Sequence, residues 1–176
     1  AGGHFWLSET PEKAGSKSWD SSLPRIASWV KLKDAKAASA KPILFINTHF
    51  DHKGETARLE AAKLIRAKIA ELGSDCSVIV TGDFNAGEAS PPYAAFFGPS
   101  GEQAAAVVDS FRVAHPERTA EEGTFNGFKA GTNTGARIDW IGVSRDWTVV
   151  SAVINRVVRD GRTPSDHYPI AVELTR

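Results

Sequence analysis

Two apolar runs that end in polar residues decide the reading of this chain: Ile43-Leu44-Phe45-Ile46 passes into Asn47-Thr48-His49, and Val78-Ile79-Val80 passes into Thr81-Gly82-Asp83-Phe84-Asn85. Each continuous run predicts a strand buried on both faces that delivers polar groups at its C-terminal end. Between them Leu59, Ala62, Ile65, Ile69 and Leu72 recur at three and four residues, so a helix is expected over 56–72, with Gly73 as its C-terminal cap. Outward from this centre, Phe5-Trp6-Leu7 and Trp29-Val30-Lys31-Leu32 read as strands, and Lys33 to Lys41 as a turn or a frayed helical piece. A short helix is expected over 93–97 after Pro91-Pro92, then a loop to Glu102, with further strands over 137–143, 147–153 and 170–174. Strand, helix, strand and then mostly strands predict an α/β (α+β) layered fold with an antiparallel component.

The chain has 176 residues, 41% of them hydrophobic, and 21 basic against 21 acidic side chains. That length suits one domain over residues 1–176, burying roughly 70% of the surface of the unfolded chain. Balanced charge argues against gripping polynucleotide through a broad basic field, which needs many Lys and Arg contacts to phosphates. Cys76 is the only cysteine, so it has no internal disulfide partner and no zinc pattern around it. No run approaches the roughly 18 apolar residues of a membrane span, so the chain reads as soluble, with no compartment indicated. It contains no methionine, and a leading piece of unknown length is expected to be absent.

Four polar clusters lie at or beside strand-like runs: Asn47-Thr48-His49-Phe50-Asp51-His52, Gly82-Asp83-Phe84-Asn85, Arg137-Ile138-Asp139-Trp140 and Ser165-Asp166-His167. Three of the five histidines fall inside them. Each alone is explained by a cap or a turn. Together they supply what a metal-assisted phosphate hydrolase needs: carboxylate and carbonyl oxygens for Mg²⁺ or Mn²⁺, donors for phosphoryl oxygens, and an imidazole fixed by a carboxylate.

In this order the clusters resemble the successive motifs of the endonuclease/exonuclease/phosphatase superfamily, and the resemblance runs from about Phe5 to Leu174. It implies a four-layer α/β sandwich of the DNase I-like type and metal-dependent hydrolysis of phosphate esters, with Mg²⁺ or Mn²⁺ as cofactor. By the same resemblance His167 is the active-site histidine, acting on the phosphate or the attacking water, and Asp139 the carboxylate that orients it. Asp83 aligns the water, Asn85 donates to a phosphoryl oxygen, and His49 is a second phosphate-contacting or general-acid histidine. Metal contacts are implied for Asp166, Asp83 and Asn85.

Members of the superfamily also carry a Gln-Glu pair whose Glu is the principal metal ligand. No Gln-Glu occurs here; Gln103 is the only glutamine. The chain therefore resembles the C-terminal two-thirds of such a domain, truncated at the N-terminus, and is expected to be weak or inactive unless a missing N-terminal segment or another chain completes it. The implied substrate is a phosphate ester whose alcohol is a nucleic acid, a sugar or a phospholipid head group.

Two other readings compete. His49, Asp51, His52 and Gly54 overlap the HxHxDHxG signature of metallo-β-lactamase-like zinc hydrolases, although position 47 is Asn where that signature has its first His. A non-catalytic phosphate-binding module would keep the same motifs without turnover. Outside the clusters, Trp19, Asp20 and Arg25 fit either a cleft lining or a packed Trp with a surface ion pair. Thr124-Phe125-Asn126-Gly127-Phe128 reads as a turn whose aromatics stack on a substrate ring or plug a core. Lys63, Arg66 and Lys68 read as a solvated helix face.

Overall fold

A computed structural model describes residues 1–35, 40–99 and 105–176. Parts of the expected 33–41 turn and of the loop to Glu102 lie outside the described residues. Chain order is β1 (Gly2–Trp6), β2 (Ile26–Leu32), β3 (Ile43–His49), α1 (Glu55–Leu72), β4 (Ser77–Asp83), α2 (Pro91–Phe97), β5 (Val108–Asp109), α3 (Ser110–Ala114), β6 (Asp139–Val143), β7 (Thr148–Ile154) and β8 (Ile170–Thr175). Six strands form one sheet in the order β1-β2-β3-β4-β6-β5, and β7-β8 form a second. Among the described residues only β3 and β4 run parallel, joined through α1; the other pairs are antiparallel.

The architecture is an α/β sandwich, and β6 shows how its layers divide. Gly142 meets Phe96 and Phe97 of α2, and Trp140 stacks on Phe84 at 4.2 Å between centroids. Asp139 and Ile141 turn to the opposite face, where they line a crevice with Ser110 and Phe111 of α3, Ala152 of β7 and Ile170 of β8. The helix-side core joins Leu44, Ile46, Val78 and Val80 to Ala61, Ala62, Ile65 and Ile69 of α1.

The expectation that β3 is buried on both faces is corrected. Leu44 and Ile46 are fully buried under α1, but Phe45 is half-buried and Asn47 exposed. The reason is coverage: the second sheet and α3 pack against β6 and leave the β3 end of that face open. Helix α1 begins and ends as the apolar spacing predicts, yet both ends differ in kind from a self-contained helix. At its start the cap comes from a distant loop, because Asp20 Oδ1 accepts from Ala57 N at 2.7 Å and Oδ2 from Thr56 N at 3.2 Å. A Cβ on Gly54 would lie 2.6 Å from that Asp20 carboxylate, so position 54 must stay bare.

At its end Gly73 has φ −108°, not the left-handed conformation usual for a glycine cap. It is needed for space: a Cβ there would lie 2.8 Å from the Ile69 carbonyl oxygen and 3.0 Å from Leu44. Arg66 also departs from the solvated-face reading. Its guanidinium donates to the carbonyls of Ala95 and Gly98, satisfying the C-terminal end of α2. The strand β5 and helix α3 have no counterpart in the sequence reading.

Candidate active site

Register places the chemistry. His49 is the parallel partner of Asp83, and Asp83 is the antiparallel partner of Asp139, so three strands contribute one residue each to a single terminal rung. Just beyond it, Phe50 N donates to Asp83 O and Phe84 N to Ile138 O, both at 2.8 Å, which ties the three strand ends together. Gly82 permits the close pairing of β3 and β4, since a Cβ there would lie 2.2 Å from Thr48 O.

The Asp83-Phe84-Asn85 turn divides its side chains. Phe84 is fully buried, while the backbone N–H of Asn85 donates to Asp83 Oδ1 at 2.8 Å. Asn85 adopts φ +47°, a conformation Asn tolerates better than most residues. Its side chain thereby joins the rung, with Nδ2 3.1 Å from the Phe50 carbonyl oxygen, which accepts from it, and 3.1 Å from His49 Nε2. His49 Nε2 lies 3.2 Å from Asp83 Oδ2. An ionised carboxylate only accepts, so we assign the Nε2 proton to His49, donating to Asp83.

His167 closes the group from a separate loop. Its Nδ1 donates to Asp139 Oδ2 at 2.8 Å, and its Nε2 stands 3.8 Å from Asp83 Oδ2. Asp139 is itself held by Thr124, a residue without solvent exposure whose Oγ1 accepts from the N–H groups of Ile138 and Asp139 and also bonds the Asp139 carboxyl. Sequence reasoning missed Thr124; the one signal was its place at the head of the aromatic turn 124–128.

The electrostatics separate the two carboxylates. Burial pushes Asp139 above the usual carboxylate range, against the hydrogen bonds from Thr124 and His167, and the charge of Asp83 adds to the rise. Burial acts on Asp83 too, but His49, the Asn85 N–H and the charge of His167 together hold it below that range. For His167 burial favours the neutral ring, yet the bond and charge of Asp139, with Asp83 and Asp166 behind it, raise its pKa above the ordinary value.

Thus His49, Asp83, Asn85, Asp139 and His167 converge. Among the described residues, one group of carboxylate and imidazole atoms within 4.8 Å of one another comprises Asp83, Asp139 and His167. Asp166 is not a member of that group: its side chain accepts from Ser165 Oγ at 3.2 Å, and its charge is felt at His167. Carboxylate oxygens suit a hard divalent cation, but three protein donors fill half of a six-coordinate shell. Asp51, by contrast, is a structural knot. Its two oxygens accept from Ser22 N and Oγ, Leu23 N, Lys53 N and Gly54 N at 2.7–3.0 Å. With no lone pair aimed outward it makes a poor zinc ligand, and the zinc-hydrolase reading loses its central residue. Arg137 also lies away from the rung, buried between Glu88 and Asp109.

The family model described as Endonuclease/Exonuclease/phosphatase family matches residues 3–167. No curated protein sequence matches the chain. Among solved structures, an endonuclease/exonuclease/phosphatase family protein from Bacteroides thetaiotaomicron is 39% identical with a TM-score of 0.86, over 99% of this chain and 64% of that one. A mannosyl-6-phosphatase from the same organism is also 39% identical with a TM-score of 0.85, over 100% of this chain and 66% of that one. The human Nocturnin catalytic domain with bound sulfate, at 16% identity and a TM-score of 0.73, covers 99% of this chain and 58% of its own length, and shares the fold. The chain thus spans slightly less than two thirds of the length of the bacterial structures it matches.

Proposed function

Because the chain belongs to the endonuclease/exonuclease/phosphatase family, we propose that its terminal rung hydrolyses a phosphate ester, with water attacking phosphorus and the alcohol leaving. The observation that carries this reading is the run of contacts His49–Asp83 and Asp139–His167, in which each imidazole is positioned by its own carboxylate. Asp83, an acceptor facing the gap, orients the water and takes its proton. The amide of Asn85 donates to a phosphoryl oxygen without adding like charge, and His167 turns Nε2 to the same group while Asp139 fixes its Nδ1. His49 stands on the other side of Asp83, where it contacts the phosphate or returns a proton to the leaving oxygen.

Asp83 and Asn85 at the rung would hold Mg²⁺ or Mn²⁺, with Asp166 acting through its charge on His167, and the ion when bound would neutralise charge on the phosphoryl oxygens. A partial donor set predicts weak metal binding, so turnover by this 176-residue chain alone is expected to be low. The similarity to a mannosyl-6-phosphatase and the balanced charge of the chain favour a sugar phosphate as substrate over a long polynucleotide.

The test pairs binding with catalysis. Inorganic phosphate with Mg²⁺ is titrated while the ring protons of His49 and His167 are followed by NMR, and hydrolysis of hexose phosphates, nucleotides and phosphodiesters is measured with and without EDTA. Shifts of both rings and EDTA-sensitive hydrolysis are expected. Rings that ignore phosphate would sink the reading. A binding module without catalysis would show the shifts and no hydrolysis even at saturating Mg²⁺ in a parent-length polypeptide.

A further inference from the structure

Phe125, beside His167, and Phe128, three residues on in the same turn, stand in solvent, 51% and 67% exposed. Phenyl rings have no polar handle and are ordinarily buried, so two of them at the edge of a polar site call for an occupant. Bonds on both sides hold the turn that carries them. Phe125 forms an antiparallel bridge with His167, and its ring meets the imidazole edge-on at 5.2 Å. The N–H groups of Asn126 and Gly127 both donate to Asp166 O, at 2.7 and 3.0 Å, and Tyr168 N donates to Thr124 O at 2.8 Å. Asn126 Oδ1 accepts from Phe128 N at 2.8 Å and from Thr163 Oγ1 at 3.2 Å.

Within this clamp Phe128 has φ +62°, a left-handed conformation unfavourable for a bulky side chain. The fold thus holds an exposed ring in a strained backbone. Thr163 also lines a cleft of about 720 Å³, together with Val157, Arg159, Asp160, Arg162 and Pro164. Arg159 and Arg162 flank a tight turn whose central residues, Asp160 and Gly161, have φ +50° and +73°. Their guanidinium groups have no side-chain partner among the described residues.

We propose that Phe125 and Phe128 form the wall against which the hexose ring of a sugar phosphate lies, with Arg159, Asp160 and Arg162 bonding its hydroxyls and its phosphate at His167. This rests on the phosphoesterase reading and deepens it by assigning the leaving group and its subsite. The chemistry matches part by part. The C–H face of a pyranose packs on a phenyl ring without needing a hydrogen bond, and vicinal hydroxyls take a carboxylate and guanidinium groups as acceptor and donors. A single phosphate on a small sugar also needs no basic channel, in keeping with a chain of zero net charge.

Dissociation constants of mannose 6-phosphate, glycerol 3-phosphate, adenosine monophosphate and inorganic phosphate are measured by titration calorimetry in Mg²⁺, on the chain and on F125A, F128A and F128G. The chain is expected to prefer the hexose phosphate over glycerol 3-phosphate, and each alanine variant to cut that preference roughly 3–10-fold, the worth of one ring contact, with inorganic phosphate affinity unchanged in F128A. F128G relieves the backbone strain, so it is expected to melt no lower than wild type while losing the same preference, which separates ring loss from misfolding. Equal preference in F128A and wild type would overturn the proposal. So would tighter, Phe128-dependent binding of adenosine monophosphate, which would assign the wall to a nucleobase. Failure of inorganic phosphate itself to bind would overturn the phosphoesterase reading, and this one with it.

Discussion

Asp83 and Asp139 face one another across the last rung of β4 and β6, two half-buried carboxylates placed as cross-strand neighbours. Like charges directly opposite are unfavourable, and the rise of Asp139 above the usual carboxylate range includes the charge of Asp83 among its causes. Such a pair holds together through the imidazoles beside it and favours any cation that enters. Asp83→Asn keeps the shape and removes the repulsion. Yet His49, the Asn85 N–H and the charge of His167 hold the Asp83 carboxylate in its ionised form, so the variant is expected to be less stable than the wild type at neutral pH in urea unfolding, and to lose the rise in melting temperature that Mg²⁺ gives the wild type through ligand linkage. A variant equally responsive to Mg²⁺ would contradict the assignment.

Asp139 and His167 act as one unit, so their variants are expected to be non-additive. In a parent-length enzyme, His167→Ala and Asp139→Asn are each expected to lower kcat about 10²- to 10⁴-fold with little change in KM. Asparagine at 139 preserves volume, yet its amide can present a donor to Nδ1 and so favour the wrong tautomer. The double variant is expected to lose little more than either single one. Steady-state kinetics on the three proteins checks this.

The central strands and α1 were legible because their apolar runs and helical spacing report burial directly: helix 56–72 is found over Glu55–Leu72. The site residues were legible as types at strand ends, and His49, Asp83, Asn85, Asp139 and His167 do meet. Register was not legible. That His49, Asp83 and Asp139 share one rung follows from pairings between strands far apart in sequence, and no local pattern encodes it. Thr124 escaped for a similar reason, since a buried hydroxyl reads like any turn threonine until its partners across the chain are known. The two-residue strand β5 and five-residue helix α3 are too short for periodicity to mark them. Asp51 falls within the alternative zinc signature, whereas its bonds run mostly to backbone and tie the loop beside His49.

That role gives Asp51 a pH signature. Burial opposes its charge, but bonds from Gly54, Ser22, Lys53 and Leu23 hold its carboxyl far below the usual range in the folded state. Unfolded, it titrates near its ordinary value of about 3.9. A depressed folded pKa contributes stability that is fully present above the unfolded value and is lost as pH falls below it. The wild type is therefore expected to lose stability progressively below about pH 4, and Asp51→Asn to be less stable at neutral pH with a shallower acid limb. Urea unfolding between neutral pH and pH 3 measures both, and parallel curves for the two proteins would remove Asp51 as the cause.

Arg137 is the counterpart on the second-sheet side, two residues before Asp139. It is 4% exposed and cannot shed its proton, and it pairs with both Glu88, three residues after Asn85, and Asp109. Glu88 also receives Arg112 and Arg118, but the further donors to Asp109, the Tyr93 hydroxyl at 2.8 Å and the Phe111 N–H at 3.0 Å, are neutral. Removing Arg137 thus leaves the Asp109 carboxylate buried without a counter-charge. Arg137→Ala is expected to cost about 3–5 kcal/mol in urea unfolding, the range for breaking a buried pair from one side. Adding Asp109→Leu to an Arg137→Met variant removes both charges and is expected to recover most of that loss. If the single and double variants prove equally unstable, packing around Phe111 and not the ion pair carries the effect, because the Arg137 guanidinium also lies 4.8 Å over that ring.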